Sequence, residues 1–274
     1  YPILPEGYKM GNGHILGPKV NLSNASLTGL DLKAITEGEI NLDQAILSET
    51  TNTSNLKTGN IAGNPILPRG WKVVNKHLIA PGVNLDGADF RYEDLSGINL
   101  YQIDLSQAAT LARVKSGQIK VKAPDNNKDF DISHKFSDQD YFLPDHWSLV
   151  KGYLVGPKAN LSFANLLNAD LQNTNLEDAD LSNAILDGVK SGGILGGKPK
   201  SLPNGWFTNK GGFLIGPGAN LDGSQLNRVS FEDKNITGID LTSSVLSNIR
   251  SGNVTLDRGA EAQLPDEWQL SGGW

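Results

Sequence analysis

Four histidines, no cysteine and one methionine leave this 274-residue chain few side chains able to do chemistry. No nucleophile elbow and no phosphate-cradling glycine loop is present. His14 and His77 stand where Tyr153 and Phe213 stand in otherwise equivalent stretches, so both are expected to fill a ring-shaped place. His134 and His146 lie in or beside a polar insertion and have no repeated counterpart. No catalytic set can be assembled, and the chain is expected not to be an enzyme. One metal pattern occurs. Asp125, Asn127, Asp129 and Asp131 alternate as the first four side-chain positions of a calcium loop do. Phe130 replaces the glycine of that loop and Phe136 its bidentate acid, which leaves half a motif. Calcium is therefore the one cofactor candidate, set against an ordinary solvated acidic loop. The remaining candidates are contacts. Lys57, Lys115, Lys190 and Arg250 recur at equivalent places, and Trp268 and Trp274 lie near the end of the chain. Were the cations stacked in phase three coils apart, they would form a ladder of roughly 14 Å spacing able to bind an anionic polymer or partner. The competing reading is solvated cations that deter edge pairing.

What positions these residues is a five-residue period. From Ala159 onward Leu161, Leu166, Leu171, Leu176, Leu181 and Leu186 follow at steps of five. Two residues before each stands a small one: Ala159, Ala164, Ala169, Thr174, Ala179 and Ala184. On a helix such steps scatter around the axis, and on a continuous strand they alternate between faces. The conflict disappears if the chain turns a corner once per unit, with the small residue and the leucine both inward. Asn, Asp, Ser and Gly then form corners and outer surface. Repeated turning in one sense makes a coil, and stacked coils make a solenoid with a leucine core.

The sequence resembles the pentapeptide-repeat family, whose consensus is similar to Ala-(Asn/Asp)-Leu-x-x, over about 24 units or nearly half the chain. That resemblance implies an all-β, right-handed quadrilateral β-solenoid with four units per coil of about twenty residues.

A longer repeat overlies the short one. Leu-Pro-x-x-aromatic recurs at Leu4, Leu67, Leu143, Leu202 and Leu264. The first four are followed by an aromatic or histidine, two aliphatics, a small residue and proline, as in Tyr153-Leu154-Val155-Gly156-Pro157. Each run of pentads exits through apolar-basic-hydroxyl-Gly: Leu56-Lys57-Thr58-Gly59, Val114-Lys115-Ser116-Gly117, Val189-Lys190-Ser191-Gly192 and Ile249-Arg250-Ser251-Gly252. Four modules of about 60 residues result. They span 1–66, 67–142 with a polar insertion at 122–142, 143–201, and 202–274 with the start of a fifth. The spacing from Leu161 to Leu221 suggests three coils per module, with the connectors as coils decorated by a hairpin. If nearly all residues join coils, about thirteen coils of roughly 4.8 Å make a rod near 60 Å long. Glu37, Glu93 and Lys234 fall on inward positions. An unpaired buried charge is costly, so a local bulge or a wide, wet corner is expected there.

A net charge of −6 without a dense basic patch argues against nucleic-acid binding. No apolar run approaches a membrane span. The absence of cysteine fits a secreted or cell-surface protein, with the cytoplasm as the alternative. Three functional readings follow. The first is a non-enzymatic structural or interaction scaffold that self-associates through its ends into a fibre, or binds a protein partner. The second, implied by the resemblance, is an acidic DNA mimic that inhibits a topoisomerase. The third is a calcium- or glycan-dependent adhesive module.

Overall fold

The computed structural model describes residues 3–35, 38–108, 110–121, 141–257 and 261–270. Two compact units are present, Tyr1–Asp145 and His146–Trp274. In the first unit the strands are β1 (Lys9–Gly11), β2 (His14–Leu16), β3 (Ile40–Asn41), β4 (Ile61–Ala62), β5 (Lys72–Val74), β6 (His77–Ile79), β7 (Ile103–Asp104) and β8 (Tyr141–Phe142). The second holds β9 (Ser148–Val150), β10 (Tyr153–Val155), β11 (Phe207–Thr208), β12 (Leu214–Ile215), β13 (Gln225–Asn227) and β14 (Val245–Ser247). No helix occurs among the described residues.

Most pairing is by single parallel bridges between successive coils. Asn160 pairs with Asp180, Asn165 with Ile185, Asp170 with Lys190 and Asn175 with Leu195. Each of these steps is four pentads, so these coils have four sides and successive pentads occupy successive sides; the first coil is longer, with Asn21 pairing with Ile46 and Asp31 with Lys57. The corner chemistry explains the pentad. The leucine carbonyl accepts from the amide three residues on, as Leu161 does from Ala164 at 3.0 Å. The residue before that amide is left-handed, with φ of 60° at Phe163, 54° at Asn168 and 55° at Asn173. This is the turn geometry that favours Gly and Asn at its third place. The Asn or Asp side chain holds the same corner from outside. Asn175 Oδ1 accepts from the Glu177 amide at 2.9 Å, and Asp170 Oδ1 from the Gln172 amide at 3.0 Å. Inside, the small residues and leucines from Ala159 to Val189 form one buried cluster.

The connectors are antiparallel hairpins. β1 pairs with β2, β5 with β6, β9 with β10 and β11 with β12. The coils absorb the β11–β12 hairpin within one circuit, for Lys190 still pairs directly with Asn220 across 30 residues of chain. Lys57 likewise pairs with Asn84 around β5–β6. Each of these two hairpins lies between coils like a plate. The Asn75 side chain donates to the Asp89 carbonyl on one side of β5–β6, and Ile61 N–H to the Lys76 carbonyl on the other.

The plates correct the expected phase. A hairpin removes about ten residues from the coil count, so a module advances two and a half coils rather than three. Asn220 shares a side with Lys190, and Ser230, two pentads later, stands on the opposite side, where it pairs with Arg250. In the first unit Lys57 shares a side with Asp31, Asn84 and Asp104, while Lys115 pairs with Asp94, two pentads after Asn84. Within either unit the two exit cations face opposite ways, so the in-phase ladder is not formed there.

Two of the inward charges, Glu93 and Lys234, do not break the register. Glu93 and Lys234 are half-buried, and both keep the corner bond, Glu93 N–H to Phe90 at 3.1 Å and Lys234 N–H to Phe231 at 3.1 Å. Lys234 places its ammonium 5.2 Å from the Phe207 ring centroid, a cation–π contact that replaces the expected bulge. Glu37 lies outside the described residues.

Candidate functional site

The exit motif is engaged on both its outer and its inner side. Its cation points outward and meets an acid one coil earlier. Lys57 Nζ lies 3.9 Å from Asp31, Lys115 Nζ 3.6 Å from Asp94 and Arg250 Nε 3.8 Å from Glu232. Lys190 pairs in backbone register with Asp170. Such exposed pairs contribute at most about 1 kcal/mol. Burial raises the Asp94 carboxyl, but the Ser96 hydroxyl and amide, with Lys72 and Lys115, outweigh it and leave the pKa lowered.

The hydroxyl and glycine of the motif turn inward. Thr58, Ser116 and Ser191 are buried. Ser191 Oγ accepts the Leu214 amide at 2.9 Å and lies 3.4 Å from the Leu214 carbonyl oxygen. Thr58 Oγ1 donates to the Leu78 carbonyl at 3.4 Å. Gly192 has φ of 144°, and a Cβ there would come within 2.8 Å of the Phe213 ring. Hydroxyl and glycine are thus the seat on which the next hairpin rests. Sequence reasoning found the motif but weighed only its cation. The signal for the rest was the repetition of a small hydroxyl residue between two sterically undemanding places.

The ring position opening the second hairpin strand also has a defined task. His14 Nε2 accepts the Ser26 amide at 3.2 Å, and Tyr153 Oη accepts the Asn165 amide at 3.0 Å. His77 instead bonds the Asn75 carbonyl through Nδ1 at 2.8 Å and packs edge-on against Phe90. Its Nε2 is buried without a partner. Burial is the main cause of its lowered pKa, aided by Lys33 and opposed by the Asn75 carbonyl. His146 is exposed at φ of 70°, the turn place that Gly7, Gly70 and Gly205 fill in the sister connectors. His134 lies outside the described residues.

Asp125, Asn127, Asp129 and Asp131 lie outside the described residues, as does Trp274. Among the described residues no three His, Cys, Asp or Glu side chains come together to hold a metal ion. Trp268 is exposed, its amide bonded to the Pro265 carbonyl at 3.1 Å. A shallow groove in the second unit is lined by Asp187, Gly188, Gly218, Thr237 and Asp240 among others. Asp240 is engaged there with the Thr242 amide and hydroxyl. Two aromatics escaped the sequence reading. Phe163 and Tyr92 occupy left-handed corners at φ of 60° and 64°, and are 74% and 78% exposed. The signal was an aromatic at the fifth place of the pentad, where Asn or Gly is favoured.

Coils of four five-residue sides around a leucine core define a quadrilateral β-solenoid. Residues 158–190 match the model of the pentapeptide repeats, in eight copies. That stretch is similar to the pentapeptide repeats, and the twenty-residue coil it forms recurs outside it, as from Asn220 to Asp240. Among solved structures it is similar to HetL, a pentapeptide repeat protein involved in heterocyst differentiation regulation from the cyanobacterium Nostoc sp. strain PCC 7120. That match covers 89% of this chain and 90% of HetL, at 22% identity and a TM-score of 0.20. No curated protein sequence matches the chain. No helix among the described residues is long and apolar enough to cross a membrane.

Proposed function

We propose that this protein is a non-enzymatic interaction scaffold that assembles end to end. The observation that carries the reading is an uncovered slice of core in the second unit. Leu246 and Ile249 are only half-buried, whereas their counterparts Leu186 and Val189 are sealed inside the preceding module. Exposed apolar surface there favours docking of another element. The Asx side chains that crowd the sides are engaged in corner bonds, which supports a scaffold over a catalyst. The cysteine-free composition supports a surface or extracellular setting, where free thiols are a liability. The test is mass by light scattering across a concentration series, in calcium and then in chelator. A mass rising without plateau above 29.4 kDa supports the reading. A constant monomer mass in both conditions overturns it.

A further inference from the structure

One side of the third module carries an apolar pattern that the core does not use. Phe163, Leu167 and Ile185 are 74%, 44% and 47% exposed, and they lie in two successive coils on that side. Asn165 pairs with Ile185 across the two coils, so both stand on the midline of the side. Phe163 holds the corner that opens the side in the first coil and Leu167 the corner that closes it, each two residues from Asn165. In the second coil Asn183 and Asp187 hold the same two corners, each two residues from Ile185. Backbone bonds keep the corners stacked, for the Phe163 amide donates to the Ser182 carbonyl and the Asn168 amide to the Asp187 carbonyl. The Phe163 backbone, at φ of 60°, is one that an aromatic residue adopts at a cost, and a ring so exposed recovers little of it by packing within the chain.

The pattern is complementary to itself. A second copy turned by half a turn about an axis parallel to the coil axis brings opposite edges of the side together at the same level. Phe163 then faces Leu167 of the second copy, Leu167 faces its Phe163, and Ile185 meets its own counterpart on the axis. Asp187 faces an asparagine amide, Asn183 of the second copy, and among the described residues neither side chain has a hydrogen bond or ion pair of its own. The midline, where a charge would meet itself, holds Asn165 and Ile185 and is uncharged. We propose that this side of the third module is an interface between two copies of the chain, related by a two-fold axis parallel to the coil axis. The inference goes beyond end-to-end assembly, because the joint is lateral and isologous and closes at two chains. An apolar patch rimmed by polar groups, with an aromatic anchor, is the surface that such contacts use.

The chain has no cysteine, so single thiols report the geometry directly. Ile185→Cys places a thiol on the axis, and on oxidation with copper–phenanthroline this variant alone should give a disulfide-linked dimer near twice 29.4 kDa. Phe163→Cys and Leu167→Cys should each crosslink poorly alone and well when mixed. Leu195→Cys measures random collision, since Leu195 is 47% exposed and pairs with Asn175, two pentads from Asn165 and so on the opposite side. Phe163→Asn should shift the sedimenting dimer to monomer without lowering the melting temperature. Ile185→Cys crosslinking no faster than Leu195→Cys, or Phe163→Cys crosslinking as well alone as in the mixture, overturns the proposal. A scattering mass that climbs past two chains with these crosslinks absent overturns this interface and leaves end-to-end assembly standing. A mass that stops at two chains with the crosslinks present supports this interface and overturns end-to-end growth.

Discussion

Ser191→Ala offers the sharpest test of the hairpin seat. Leu214 is 0% exposed, and its amide has the Ser191 hydroxyl as acceptor at 2.9 Å. Deleting the oxygen removes a hydrogen bond and leaves a buried N–H without a partner, a cost of about 1–3 kcal/mol. For a chain of this size each kcal/mol lowers Tm by about 2–4 °C, so a loss of roughly 2–12 °C is expected. Ser251→Ala changes the same motif residue at an exposed place, and the effect should stay within about 0.5 kcal/mol. Ser191→Thr should restore most of the loss, because Thr58 performs the same task in the first module. Urea and thermal unfolding followed by circular dichroism, at protein dilute enough to be monomeric, compare the three variants. If Ser191→Ala melts with Ser251→Ala, the hydroxyl does not hold the hairpin and the seat argument fails.

Leu171→Ala should cost about 2–5 kcal/mol in urea unfolding, since Leu171 is wholly buried in a thin core with little room to collapse. His77 is held neutral by burial, so its folded pKa lies below the ordinary value of 6.5. Between those two values the unfolded chain binds the extra proton, so stability rises with pH there and is lost as pH falls through 6.5. His77→Phe, the residue type that Phe213 supplies in the fourth module, should remove that contribution when Tm is plotted against pH. Phe163→Asn should stabilise by about 0.5–1 kcal/mol, because Asn tolerates the left-handed corner and the ring gives up little packing. A urea midpoint that moves down would show that the ring is holding something in the folded chain.

The pentad was legible because its two inward places are chemically uniform. Ala159, Leu161, Ala164 and Leu166 fixed which side faces the core, and the twenty-residue coil is the spacing seen from Asn160 to Asp180. The corner was half legible. Asn and Asp were read as tolerant of left-handed backbone, but in the pentads above the second-place Asx serves as a hydrogen-bond acceptor while the fifth place is left-handed. The coil phase was not legible. Sixty residues divide evenly by twenty, and nothing in composition says that ten of them leave the coil to form a plate. Only pairing across the plate, Lys190 with Asn220, reveals the half turn. Partial burial of Lys234 was likewise hidden, because its aromatic partner, Phe207, lies 27 residues away in a connector.

That half turn has a consequence for valency. Within either unit a feature carried once per module emerges on opposite sides of the coil, as Lys57 and Lys115 do in one and Lys190 and Arg250 do in the other. A ligand reading such a feature cannot run along one flank from module to module. It would meet a single copy on each flank, and a partner reading two copies in one unit would have to reach around the coil.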